Sequence, residues 1–303
     1  MLSLDKKPSL GFALAMFGTL LFSLKSIFIK FLYLQGLNAD EVLVLRMLLS
    51  LPIYTGILFW TLTHNNVTKE LNRNIVFKIF LLGFLGYYLA SLLDLMSLEL
   101  ISAQLERLGL FTYPFMVAVL GYFFFNEPFT RRLLFSLLIT YFGLWIVMGQ
   151  ELKISGDGVI EGTLLVLGSA LSFAFYVLFS KGYIKQLGST LFTCIAMISS
   201  CVFGLIHGVV VLEIDAMVVS HAAWFWMVLL VILSTVIPSF MMVEAIDRIG
   251  PANTGVVGML GPVFTIALAI YLLNEPFTLG LVIGSILMMT GVAALMKAER
   301  SVR

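Results

Sequence analysis

The chain has 303 residues, of which 60% are hydrophobic and 12% charged, and its net charge is +1; the mean hydropathy is +1.06. A soluble domain carries about 25% charged residues and cannot hide this much apolar surface, which excludes that class. The small net charge leaves no electrostatic basis for nucleic acid as a partner, and Cys194 and Cys201, both in one apolar run, read as core residues.

A bilayer core of about 30 Å needs about 20 apolar residues per helix. In chain order the stretches that qualify are 9–34, 39–62, 75–98, 100–125, 130–149, 159–183, 188–212, 222–246, 251–273 and 277–297. The first holds Lys25 and Lys30 and has no small-residue cleavage site, so it reads as a retained span. Runs of this length without alternation exclude barrel strands. The expected fold class is all-α integral membrane, with ten transmembrane helices and no soluble domain left over. Basic residues gather on one side (Lys6, Lys7, Lys69, Arg73, Lys78, Arg131, Arg132, Lys181, Lys185, Arg248, Lys297, Arg300, Arg303), against Lys30, Arg107 and Lys153 on the other. That bias predicts a multi-pass protein of the cell (inner or plasma) membrane with both termini cytoplasmic.

The pentapeptide Asn-Glu-Pro-Phe-Thr occurs at Asn126–Thr130 and again at Asn274–Thr278, a shift of 148 that also brings Pro114 onto Pro262 and Gly143 onto Gly291. Two five-helix repeats are expected, with domains at 1–149 and 150–303. Five is odd, so the second copy is inverted relative to the first, a recurrent carrier design. Within the turn, Pro128 and Pro276 suit the first position of a helix. Glu127 and Glu275 suit the positive end of that same helix.

Ionisable groups inside spans are costly and mark function or pairing. Lys25, Arg46, Asp94, Glu106 and Arg107 come from four spans yet reach similar depths, at about 1.5 Å per residue. Their counterparts in the second half are Tyr176, Met197, Met242, Thr254 and Gly255, none charged. This asymmetry fits either a substrate site or a one-sided salt-bridge network, with snorkelling open to Lys25 and Arg107. Tyr87, Tyr113 and Tyr176 are candidates for cavity lining, because a buried hydroxyl wants a partner. Glu244 is the main acidic group of the eighth span.

With these residues in view, the chain resembles ten-helix members of the drug/metabolite transporter superfamily of the EamA type. The resemblance rests on Pro114, Glu127 and Gly143 with Pro262, Glu275 and Gly291, and on Arg46 in the second span. The family's Trp-Gly early in the first span is absent, Leu21-Phe22 standing in that region with Lys25 nearby. The resemblance implies membrane transport and does not name a substrate. It also implies a cavity lined by spans one, three, four, six, eight and nine, with five and ten peripheral.

The function expected is secondary transport of a small polar metabolite, anionic or amino-acid-like, by alternating access. Its carboxylate would meet Lys25 or Arg46, while Glu106 or Asp94 takes an amine or a proton. An intramembrane enzyme or a non-transporting scaffold is the alternative class. No nucleophile or metal set sits at membrane depth and no phosphate-binding loop is present, so no cofactor and no catalytic residue are expected. The partners are the lipid bilayer and a small-molecule substrate. Proton coupling, exchange or uniport, and the oligomeric state, stay open.

Overall fold

A computed structural model describes residues 8–64, 72–126, 129–212 and 219–302, and every regular element among them is helical. Lys6, Lys7, Lys69, Glu127, Pro128 and Arg303 lie outside the described residues. The first two spans are single helices, α1 (Pro8–Leu34) and α2 (Ala39–His64). The third is α3 (Arg73–Gly83), a π-helical turn at Phe84–Leu89, and α4 (Ala90–Leu100). The fourth is α5 (Ala103–Leu110) followed, after a break at 111–112, by α6 (Tyr113–Phe125). Then come α7 (Arg131–Ser155), α8 (Val159–Leu187) and α9 (Ser189–Val211). The chain continues through α10 (His221–Val231), a second π-turn at Ile232–Val236, α11 (Ile237–Gly258), α12 (Gly261–Leu273) and α13 (Leu279–Val302). Eight of these stretches are long and apolar enough to cross a bilayer, and Gly261–Leu273 and Leu279–Leu295 are shorter apolar helices.

Packing repeats the sequence symmetry. Helix α1 packs on α11 and α12, and α8, its counterpart, packs on α4 and α6. The pairs α2 with α9 and α7 with α13 close the two ends of the arrangement. In the α7–α13 seam a Cβ on Gly143 would come within 2.6 Å of the Gly284 carbonyl, and one on Gly291 would strike Thr140. Small residues let these helices approach at backbone distance. Large side chains such as Phe59, Phe123, Phe135, Trp145 and Tyr271 point outward, as suits a lipid-facing surface.

The pentapeptide turns show what the repeat encodes. Asn126 and Asn274 end α6 and α12 in the left-handed region, with φ of 52° and 54°, where Asn is one of the few tolerated residues. Thr130 and Thr278 then cap α7 and α13, each hydroxyl accepting from a backbone N–H at 3.2 Å. The Pro276 expectation is corrected by this. It lies in the irregular segment before Thr278 rather than at the first helical position, because Thr278 already supplies the cap.

One asymmetry is large. In the first half Ser102 caps α5, its hydroxyl accepting from Leu105 N at 3.1 Å. Gly250 stands 148 residues later and has no side chain to cap with. Helix α11 runs on to Gly258 there, so the expected ninth span at 251–273 is divided between the end of α11 and α12.

Candidate functional site

The two π-turns lie 148 residues apart, at Phe84 and Ile232, and both face the centre. A π-turn inserts one residue into the helical ladder and often marks a functional site. Ser172 Oγ donates to the Leu85 carbonyl at 2.7 Å, and Thr235 Oγ1 to the Leu230 carbonyl at 3.1 Å, so local hydroxyls satisfy part of the disturbed backbone. A Cβ on Gly86 would run into the Tyr176 ring, which fixes how closely α8 approaches the first turn. The chain breaks at 111–112 and 259–260, each followed by a proline, Pro114 or Pro262, in the first turn of the next helix.

Between these irregular segments lies a cavity of about 520 Å³, within the range of small-molecule sites. Lys25, Arg46, Asp94, Arg107, Tyr87 and Tyr113 line it. Phe22, Phe111, Phe173 and Met242 supply apolar walls, and Ser234, Thr235 and Ser239 supply hydroxyls. The lining comes from spans one, three, four, six, eight and nine, and also from span two (Arg46, Met47, Ser50), span seven (Met197) and span ten (Val292). Spans two and seven thus join the expected set, since α2 packs on α9 beside the cavity, and the expectation that span ten is wholly peripheral is corrected at Val292, which reaches the lining.

The charged groups are not equivalent. Lys25 Nζ donates to Asp94 Oδ2 at 2.5 Å, tying α1 to α4. Glu106 is fully buried, is not among the lining residues, and accepts from Ser26 Oγ at 2.7 Å through Oε2. The other oxygens, Asp94 Oδ1 and Glu106 Oε1, are buried and have no hydrogen-bond partner among the described residues. Arg46 is buried, 5% exposed, and makes no hydrogen bond or ion pair with another described residue. Arg107 Nε is likewise buried without a partner. Tyr176 lies behind the lining, donating to the Tyr87 hydroxyl at 3.1 Å. Glu244 points away from this set and pairs with Arg248 at 2.6 Å.

One end of the cavity is sealed. The ends of α1, α2, α4, α10 and α12 bury Ile27, Leu32, Leu43, Leu98 and Met227 there in one cluster. Over it, the start of α5 is bolted from two directions. Glu275 accepts from Ala103 N and Gln104 N at 2.8 and 3.2 Å. Glu151 accepts from Ser102 N and Oγ, both at 2.6 Å. Lys30 adds a bond to the Ile101 carbonyl at 2.7 Å. Glu275 therefore meets the positive end of α5, not of α13 as its position in the chain predicts, because the free N–H groups of α5 are nearer. Burial raises its carboxyl pKa above the usual value, with the Ala103 and Gln104 N–H donors and Lys30 pulling the other way.

Comparison with known proteins agrees with this architecture. The EamA-like transporter family matches residues 9–149 and again 160–297. The chain belongs to the EamA-like transporter family. A relative named as an uncharacterized transporter, YcbK of Bacillus subtilis (strain 168), is 26% identical over 288 residues, covering 92% of this chain and 90% of that one. A solved structure described only as that of a protein aligns over 97% of this chain and 99% of its own, with a TM-score of 0.68 and 13% identity. That likeness speaks for the fold alone. As an EamA-like protein, the chain is a multi-pass membrane transporter, and its cavity is shared by the two family-matched segments. Three features of this EamA-like cavity escape a reading of the sequence: both π-turns, the Lys25–Asp94 pair, and the role of Glu151 and Glu275. Only the acidic character of the last two was visible in advance.

Proposed function

We propose that this protein is a secondary transporter that carries a small polar metabolite bearing at least one anionic group by alternating access. The observation that carries this reading is the central cavity, where Lys25, Arg46 and Arg107 face one carboxylate, Asp94, among the described lining residues. The two repeats, 1–149 and 150–303, would rock about the paired π-turns and the breaks before Pro114 and Pro262. With both termini cytoplasmic, the sealed end is the outer one, and Glu275 and Glu151 would release α5 when it opens. The ion-network account has support at two positions. Lys25 and Asp94 would mainly neutralise each other and hold α1 to α4, leaving Arg46 and Arg107 to meet the substrate. If transport is driven by protons, the buried carboxyl groups of Asp94 and Glu106 are the ones positioned to carry one.

The test is uptake of metabolites, first selected by thermal shift, into proteoliposomes with and without a pH gradient. Saturable uptake of an anionic compound supports the reading. A preference for purely cationic compounds contradicts it, and uptake indifferent to the gradient would remove the proton step alone.

A further inference from the structure

Resting on the transport reading, we infer that the cavity takes an organic anion with no ammonium group, a carboxylate on an apolar or aromatic body, rather than an amino acid. Three observations lead there. First, a free carboxylate is the strongest partner for a substrate ammonium, and none is open to the cavity among the described residues. Asp94 Oδ2 is taken by Lys25, Asp94 Oδ1 is buried away from the cavity space, and Glu106 lies outside the lining with Ser26 on Oε2. Second, the charges do not sum to zero. Lys25, Arg46 and Arg107 outnumber Asp94 and Glu106, so even with both carboxylates ionised one positive charge is left without a counter-charge in a low-dielectric site. A zwitterion has no net charge to balance it, whereas a carboxylate balances it directly. Guanidinium groups also match carboxylates through paired N–H donors. Third, the rest of the lining suits an apolar body. Phe22, Phe111, Phe173 and Met242 form the walls.

The experiment uses three ligands with one shared body on the purified full-length protein: 3-phenylpropionate, phenylalanine and phenethylamine. Binding is read by calorimetry, on wild type and on Arg46→Met, Arg46→Lys and Lys25→Met. On wild type the acid is expected to bind at least about tenfold more tightly than the amino acid, the size of effect a desolvated unpaired charge produces. Arg46→Met should weaken the acid by at least a similar factor, with Arg46→Lys in between. Lys25→Met frees Asp94 for an ammonium, so the acid-to-amino-acid ratio should fall. Phenylalanine binding as well as or better than the acid on wild type, while Arg46→Met still weakens both, overturns this inference and leaves the anionic reading standing. Preference for phenethylamine sinks both. No binding of the acid up to about 10 mM also overturns the inference, since that corresponds to less than about 2.7 kcal/mol of affinity. The wild-type comparison decides even if Lys25→Met fails to fold.

Discussion

The two halves of the cavity are alike in backbone and unlike in chemistry. Each half contributes a π-turn, a chain break before a proline, and an Asn-ended helix, all offset by 148 residues. Yet Arg46, Asp94 and Arg107 are matched by Met197, Met242 and Gly255 in the second half, and Lys25 by Tyr176. The common features are those that a rocking motion needs, and the differing ones are those that a ligand would touch. On the proposed reading, symmetry would lie in the hinges and recognition on one repeat. Each of the following changes probes one side of that division.

The largest effect is expected at Asp94. Asp94→Asn leaves Lys25, 18% exposed at the cavity wall, without its partner; breaking a fully buried pair costs about 3–5 kcal/mol, and this part-exposed one should cost less than that range but still lower the melting temperature clearly. Adding Lys25→Met to the same protein should recover most of the loss. A double variant no more stable than Asp94→Asn alone would show that the pair does not act as a unit.

At the first hinge, Gly86→Ala drives a methyl into the Tyr176 ring and should cost about 1–3 kcal/mol, the range for overpacking. Gly258→Ala meets open space and should be neutral or slightly stabilising, since Ala loses less backbone entropy than Gly in a helix. Equal melting temperatures for the two would refute the tight approach of α8.

Much of this plan is legible in the residues themselves. Apolar run lengths yield the spans, because bilayer thickness dictates them. The repeated pentapeptide exposes the duplication because Asn and Thr do specific work at a helix end and a helix start. Charge at membrane depth exposes Lys25, Arg46, Asp94, Glu106 and Arg107, because such groups are too costly to leave by accident. What stays hidden depends on three-dimensional neighbours. Which carboxylate meets Lys25 is decided by the packing of α1 on α4. Glu275 caps a helix that begins 172 residues earlier in the chain. A π-turn has no residue signature, and the run of α11 through Gly250 reflects a missing cap rather than a present signal.

Smaller effects test the sealed end and the shared turns. Glu275→Ala removes the acceptor for two N–H groups of α5 and should cost about 1 kcal/mol, as lost caps do. Because its pKa is raised in the folded protein, the folded state holds this proton more tightly than the unfolded chain. Its titration therefore contributes stability below the ordinary value of 4.5 that is lost as pH rises towards the shifted one. Glu275→Gln should flatten that slope between mildly acidic and neutral pH in thermal melts. Smaller still, Asn126→Ala and Asn274→Ala should each cost about 1 kcal/mol, with Asn→Gly near neutral, since only the left-handed backbone is at stake. Costs differing by more than about 1 kcal/mol between the two sites would break the equivalence of the turns.

The division between shared hinges and one-sided recognition is tested most directly by measuring ligand affinity and melting temperature together on Arg46→Met and on its mirror, Met197→Leu. The account predicts that Arg46→Met loses about 2–5 kcal/mol of anion binding. Its ligand-free melting temperature should be unchanged or higher, because an unpaired buried charge has been removed. Met197→Leu should leave both nearly as they were. Unchanged affinity in Arg46→Met together with a lower melting temperature would contradict the account and make Arg46 part of an internal ion network.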